Sequence, residues 1–168
     1  HKGFGKAESG AVALPCDEPE TFAQLVSFIY FDCVSEDLEY TQLCKLWVLA
    51  DKLVMNKLQN AIVDSVSAKA RYGGRINMES ATLDYIYAHT SPDSRLRRLT
   101  VDAALWSMSA ADYKERKEDF PEGFVRDLLD VFFTDRDDGW SANNSRFPSS
   151  LQTYYVRKFE VPKQLKGN

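Results

Sequence analysis

Apolar residues recur at helical spacing along most of this chain. Phe22, Leu25, Val26 and Ile29 fall at i, i+3, i+4 and i+7, and predict one face of a first helix. Asp17 is placed to cap that helix, with Glu20 three residues on as its capping-box partner and Pro19 in the first turn. Phe28, Tyr30 and Phe31 widen the apolar surface at its far end, which predicts burial on more than one side. A second helix over 40–52 carries Leu43, Leu46, Trp47, Ala50 and Leu53 as its stripe. A third runs from Asn56 to Arg71 with Leu58, Ile62 and either Ser65 or Val66 inward, Lys69 at the edge and Gly73-Gly74 as its stop. Their closeness in sequence predicts an antiparallel hairpin.

The pattern continues beyond Gly74. Met78–His89 predicts a shorter helix with Leu83, Ile86 and Tyr87 inward, and "TSPDS" reads as a break and a fresh cap. Asp93–Met108 follows, with Leu96, Leu99, Ala103 and Trp106 on one face. "SMSAADYKERKEDF" is polar and partly helical in character. Pro121–Phe133 opens on proline at a first turn and sets Val125, Leu128, Leu129 and Phe132 inward. Two stretches read differently. Ala11–Leu14, ended by Pro15, predicts a short strand, and "TYYVRKFEV" predicts a strand or an extended piece packed back on the body. The Gly-rich start and the stretch from Thr134 to Gln152 read as loop. The fold class is therefore mainly α, with one or two short strands and no repeat at a fixed period.

Composition narrows the function classes. The 168 residues are 44% hydrophobic and 12% aromatic, enough to bury a sizeable core. With 21 basic and 25 acidic side chains the formal charge is −4, a balance unsuited to gripping phosphate backbones. Cys16, Cys33 and Cys44 are odd in number and unpaired by spacing, which suits a reducing compartment, cytoplasmic or nuclear. No apolar run approaches the ~18 residues of a membrane span. No phosphate loop is found, because Gly73-Gly74 lacks a following Lys-Ser/Thr, and "DDGW" is short of a calcium loop. No metal or cofactor is expected, since no C-x-x-C pair occurs. His1 and His89 are the two histidines, and His89 reads as a helix C-terminal residue rather than a base beside Cys44 or a serine, so no catalytic residue is assigned. Arg95, Arg97 and Arg98 form the one concentrated basic spot and read as solvated arginines pairing with Asp93 or Asp102.

Two segments carry a resemblance. "VALPCDEPETFAQLVSFIYFD" and "LCKLWVLADKLVMNKLQNAIVDSV" resemble the C-terminal half of a BTB/POZ domain. That family shows there a strand, a short acidic or prolyl turn, a helix ending in Phe/Leu-x-Tyr, and then "L..ADKY.M..L" across a helix hairpin. The likeness covers residues 4–70. "ESATLDYIYAHTSPDSRLRRLTVDAALWSM" and "FPEGFVRDLLDVFF" resemble the C-terminal extension of many fungal BTB proteins. The resemblance implies the C-terminal part of a BTB/POZ domain over 1–72, a helical extension over 73–135 and a loop-rich tail over 136–168. It also implies that the family's N-terminal half would precede His1, with "HKGFGKAESG" as its remnant, and that this half carries most of the homodimer surface.

What the resemblance implies for function is a non-catalytic protein–protein interaction module. Its partners would be a second BTB chain or a cullin scaffold bridging to ubiquitin transfer, with no nucleic acid, membrane or small molecule bound directly. The alternative is an oligomerising or co-repressor-recruiting module of a transcriptional regulator. In cullin adaptors of the family a hydrophobic-x-Glu motif sits early in the first of these helices. The matching positions here are Phe22, Ala23 and Gln24, with Gln24 replacing the acid and turning a charge-assisted bond into a neutral one. Phe22, Gln24 and Tyr30 are the candidate partner-binding residues. The plainer reading makes Phe22 a core residue, and makes Phe28, Tyr30 and Phe31 core with the Tyr30 hydroxyl at the rim.

Overall fold

A computed structural model describes residues 18–72, 76–137 and 151–156. Among these residues seven α-helices form: α1 (Pro19–Phe31), α2 (Tyr40–Lys52), α3 (Asn56–Tyr72), α4 (Ser80–His89), α5 (Arg95–Ser107), α6 (Ala110–Arg116) and α7 (Glu122–Asp137). Lys117–Asp119 adds a 3-10 turn between the last two. No strand occurs among the described residues, and Ala11–Leu14 lies outside them. Residues 151–156 pack back on the body as a turn and an extended piece, not as a strand.

The starts of the helices follow local chemistry. At α1 the N-cap is Glu18, in extended backbone and without a side-chain cap bond, and Asp17, the expected cap, lies outside the described residues. The Glu18 carboxylate reaches Lys45 instead, at 2.5 Å. Pro19 contributes a pre-set φ to the first turn, where its missing N–H is no loss. Glu39 begins α2, and its backbone N–H donates to Gln42 Oε1 at 2.8 Å. Ser94 caps α5 and Ser109 caps α6 by accepting from the backbone N–H of Leu96 and Asp112 respectively.

Helices α2 and α3 form the central pair. Gln59, near the start of α3, donates to Asp51 near the end of α2, while Lys69 near the end of α3 donates to Glu36 just before α2. The two helices are thus antiparallel, as expected. Leu43, Leu46, Trp47 and Ala50 from α2 and Leu58, Ile62 and Val66 from α3 are buried. Leu53, expected in the α2 stripe, is exposed because the helix ends at Lys52 and the chain turns there.

That turn has an unusual residue in it. The Val54 N–H donates to the Asp51 carbonyl and the Met55 N–H to the Ala50 carbonyl, the bond pair of a Schellman cap. Val54 holds the left-handed position of that cap at φ 57°, which favours glycine and is unfavourable for a β-branched residue. Its side chain is 79% exposed, so it recovers little by burial. Val54→Gly should therefore stabilise the protein by about 0.5–1 kcal/mol, the relief of strain being partly offset by the looser unfolded chain. The check is a urea midpoint that rises at unchanged slope. A lower midpoint would mean that the valine side chain contributes contacts that outweigh the strain.

Helix α4 packs on α2, and α5 packs on α3, so the hairpin and the helices after it share one apolar core. Polar ties cross the same boundary: Thr41 with Thr82 at 2.6 Å, and the Tyr40 hydroxyl donating to Thr100 at 2.9 Å. Helix α7 closes on α4 and α5. Its buried residues are Phe124 and Val131, with Val125 and Leu128 half-buried, while Leu129 and Phe132 are exposed. This differs from the expected face by a rotation of the helix. The fixed point is Phe124, which meets Phe120 and Tyr87 edge-on. Gly123 beside it leaves room for the Tyr87 ring, since a Cβ there would stand 2.8 Å from Tyr87 Cδ1.

Candidate functional site: the open face of α1

Helix α1 carries two apolar stripes. Thr21, Leu25 and Phe28 are buried and hold it to α2. Phe22, Val26 and Ile29 run alongside, one residue further on, and turn away from that contact: Phe22 is 45% and Ile29 59% exposed, with Val26 half-buried. Tyr30, 79% exposed, flanks this surface near the end of the helix, and Phe31, 73% exposed, lies on the other side of the buried stripe. The expected single stripe is therefore split. Leu25 and Phe28 are core, whereas Phe22, Ile29, Tyr30 and Phe31 are not.

Ion pairs clamp both ends of α1. Glu18 meets Lys45 on α2, and Asp32, the left-handed C-cap at φ 55°, meets Lys57 on α3 at 2.5 Å. Both pairs are largely solvated, and each contributes roughly 0–1 kcal/mol. Their positional effect matters more. The Asp32–Lys57 pair brings the α2–α3 turn to the C-terminal end of α1. The exposed Leu53 and Val54 then lie at the same end as Ile29, Tyr30 and Phe31. Surface hydrophobics are ordinary one at a time, but a contiguous apolar patch marks an interaction site or an association hazard.

The candidate partner residues thus all lie on α1, Phe22 and Tyr30 exposed and Gln24 half-buried. Phe22 and Tyr30 are outside the core, so the plainer reading of those two side chains does not hold. Leu53 and Val54 are further exposed apolar residues without any signal in the periodicity, because a turn rather than a helix face presents them.

The other candidate chemistries come apart. Cys44 is fully buried, and burial pushes its thiol up to about 12, against the weaker opposing effect of its bond with Tyr40. A thiol so placed makes a poor nucleophile. His89 is exposed at the end of α4, where its Nδ1–H donates to the Tyr85 carbonyl at 2.8 Å and its ring stacks on Tyr85. The two residues therefore serve different neighbours. Among the described residues no group of three or more His, Cys, Asp or Glu could hold a metal ion. No described helix is long and apolar enough to cross a membrane.

The arginine run is used up inside the molecule. Arg98 pairs with Asp102 at 3.0 Å, as expected. Arg97 is not a solvated residue: it donates to Thr90 Oγ1 and to the Thr90 and Tyr87 carbonyls, and lies over the Tyr87 ring at 4.4 Å. Arg95 donates to the Thr153 carbonyl at 2.5 Å. All three arginines thus make intramolecular contacts, Arg97 half-buried and Arg95 and Arg98 exposed. No family model, curated protein or solved structure matches this chain.

Proposed function

We propose that the chain is a non-catalytic protein–protein interaction module of the BTB/POZ type, working through the open face of α1. The observation that carries the reading is the second apolar stripe of α1, with Phe22 and Ile29 exposed, Val26 half-buried and Tyr30 exposed beside them, on a helix whose first stripe is buried. Burial of such a face in a partner gains about 25 cal/mol for each Å² of apolar surface removed from water, and aromatic side chains dominate interfaces of this kind. By the resemblance, the partner is a cullin scaffold, with the chain serving as a ubiquitin-ligase adaptor in the cytoplasm or nucleus. Phe22 and Tyr30 supply apolar anchors in this reading, and Gln24 a neutral hydrogen-bonding group between them.

Size-exclusion chromatography with a cullin N-terminal region tests it. Co-elution is expected. Phe22→Glu should abolish it with circular dichroism unchanged, because the side chain is not part of the core. Gln24→Glu should tighten it, since a charge-assisted bond is about twice as strong as a neutral one. Absence of co-elution, with the chain instead running as a self-associated species that Phe22→Glu dissolves, would replace the adaptor with an oligomerising module. Absence of both would remove the interaction role of α1.

A further inference from the structure

Residues 151–156 are held almost entirely by side chains reaching from α3 and α5. Asn60 grips one residue at both backbone groups: its Oδ1 accepts from the Val156 N–H at 2.8 Å, and its Nδ2 donates to the Val156 carbonyl at 3.3 Å. An amide side chain used this way copies the edge of a β-strand and reads extended backbone. Arg95 adds a bond to the Thr153 carbonyl. The two tyrosines are read separately. Tyr154 is 2% exposed, and its hydroxyl donates to Asp102 at 2.6 Å. Tyr155 is half-buried, and its hydroxyl donates to Asp64 at 2.5 Å.

Asp102 is the feature that marks a built site. Its side chain is only 9% exposed, and Arg98 supports it from one turn earlier on the same helix. A buried carboxylate is costly to leave short of donors. Here the buried phenol of Tyr154 supplies one donor, and Arg98 supplies another and fixes its position. Leu151 adds a half-buried apolar contact three residues before Tyr154.

We propose that the α3–α5 surface is a peptide-reading groove, which the chain fills with its own residues 151–156. The partner it fits is a segment of another protein that turns between an apolar residue and the first of two adjacent tyrosines three positions on, then continues into a valine, the first tyrosine unmodified. Asn60 fixes the backbone, Asp102 selects the phenol of the first tyrosine and Asp64 that of the second. A phosphate on the first tyrosine would set a dianion against a buried carboxylate and be rejected. The groove uses α3 and α5, not the open face of α1, so it stands whether or not that face binds a cullin.

A nicked form of the full chain tests this without altering the groove. A site-specific protease sequence replaces residues 142–147, and cleavage turns the tethered segment into an exchangeable one. A fluorescent peptide of residues 149–158 is then added and its anisotropy followed. The cut chain should take up the peptide saturably at micromolar to sub-millimolar concentration. The uncut chain should bind at least tenfold more weakly, because the tethered segment competes at an effective concentration of order millimolar. Two altered peptides supply the specificity: Val156→Pro removes the N–H that Asn60 accepts and should weaken uptake at least tenfold, and phosphorylation at Tyr154 should abolish it. No uptake up to about 1 mM by a cut chain that keeps its circular dichroism would overturn the proposal. So would unfolding of the cut chain, which would make the segment part of the core, or uptake indifferent to both changes in the peptide.

Discussion

Phe124→Ala should lower the free energy of unfolding by about 3–5 kcal/mol, as expected when a fully buried phenylalanine is truncated. Helix α7 packs on α4 and α5 around this ring. Phe124 is wholly buried and Val131 nearly so, while Leu129 and Phe133 on the same helix are about half-exposed. The Phe124 ring meets Phe120 at 5.3 Å and Tyr87 at 6.0 Å, both edge-to-face, and such pairs add about 0.5–1.5 kcal/mol each beyond area burial. The Tyr87 hydroxyl on α4 also donates to Asp127 on α7 at 2.7 Å. With stabilities of about 5–15 kcal/mol typical of domains, the loss would take a large share of the total. Leu129→Ala, on the same helix but pointing outward, should change stability by no more than about 0.5 kcal/mol. Urea titrations of the two variants decide the matter. Equal losses, or a larger loss at Leu129, would show that α7 docks through the face that periodicity suggests rather than through Phe124.

That contrast also shows how far the sequence could be read. The bounds of α2 and its buried stripe were legible because a 3.6-residue period ran over three turns between clear breaks. Helix α3, the α4 and α5 cores, and the antiparallel pairing of α2 and α3 followed for the same reason. Faces were harder where a helix carries apolar residues on two sides. Periodicity cannot say which of two adjacent stripes is buried. At α1 it joined Phe22 and Ile29 to Leu25, and at α7 it chose Leu129 and Phe132 over Phe124 and Val131. In both cases the choice is made by tertiary packing, against α2 for α1 and against Tyr87 on α4 for α7. The candidate surface was legible in its residues but not in their exposure, since Phe22 and Ile29 share the helical period of the buried Leu25. The docking of Tyr154 on Asp102, 52 positions away, leaves no local trace at all.

Long-range polar pairing of that sort gives the second large effect. Thr100→Val should cost about 1–3 kcal/mol, more than Tyr40→Phe, although both changes delete one hydroxyl from the same bond. Tyr40 on α2 donates to Thr100 Oγ1 at 2.9 Å, and Thr100 in turn donates to the Leu96 carbonyl at 2.8 Å within α5. Burial holds the Tyr40 phenol well above its usual ionisation range, so it stays neutral and needs an acceptor. Replacing threonine by valine keeps the shape but leaves that O–H in the core with only the Cys44 sulfur, a weak acceptor. Tyr40→Phe is milder, because Thr100 keeps its bond to Leu96 and loses only a donor to its oxygen. The double change removes donor and acceptor together and should be less destabilising than the sum of the singles, with a coupling of about 0.5–3 kcal/mol. Thermal melts of the four proteins measure this directly. Additive losses, or a Tyr40→Phe loss that exceeds that of Thr100→Val, would show that the bond does not join α2 to α5, leaving Thr41–Thr82 and the apolar core to tie the helix hairpin to the helices that follow.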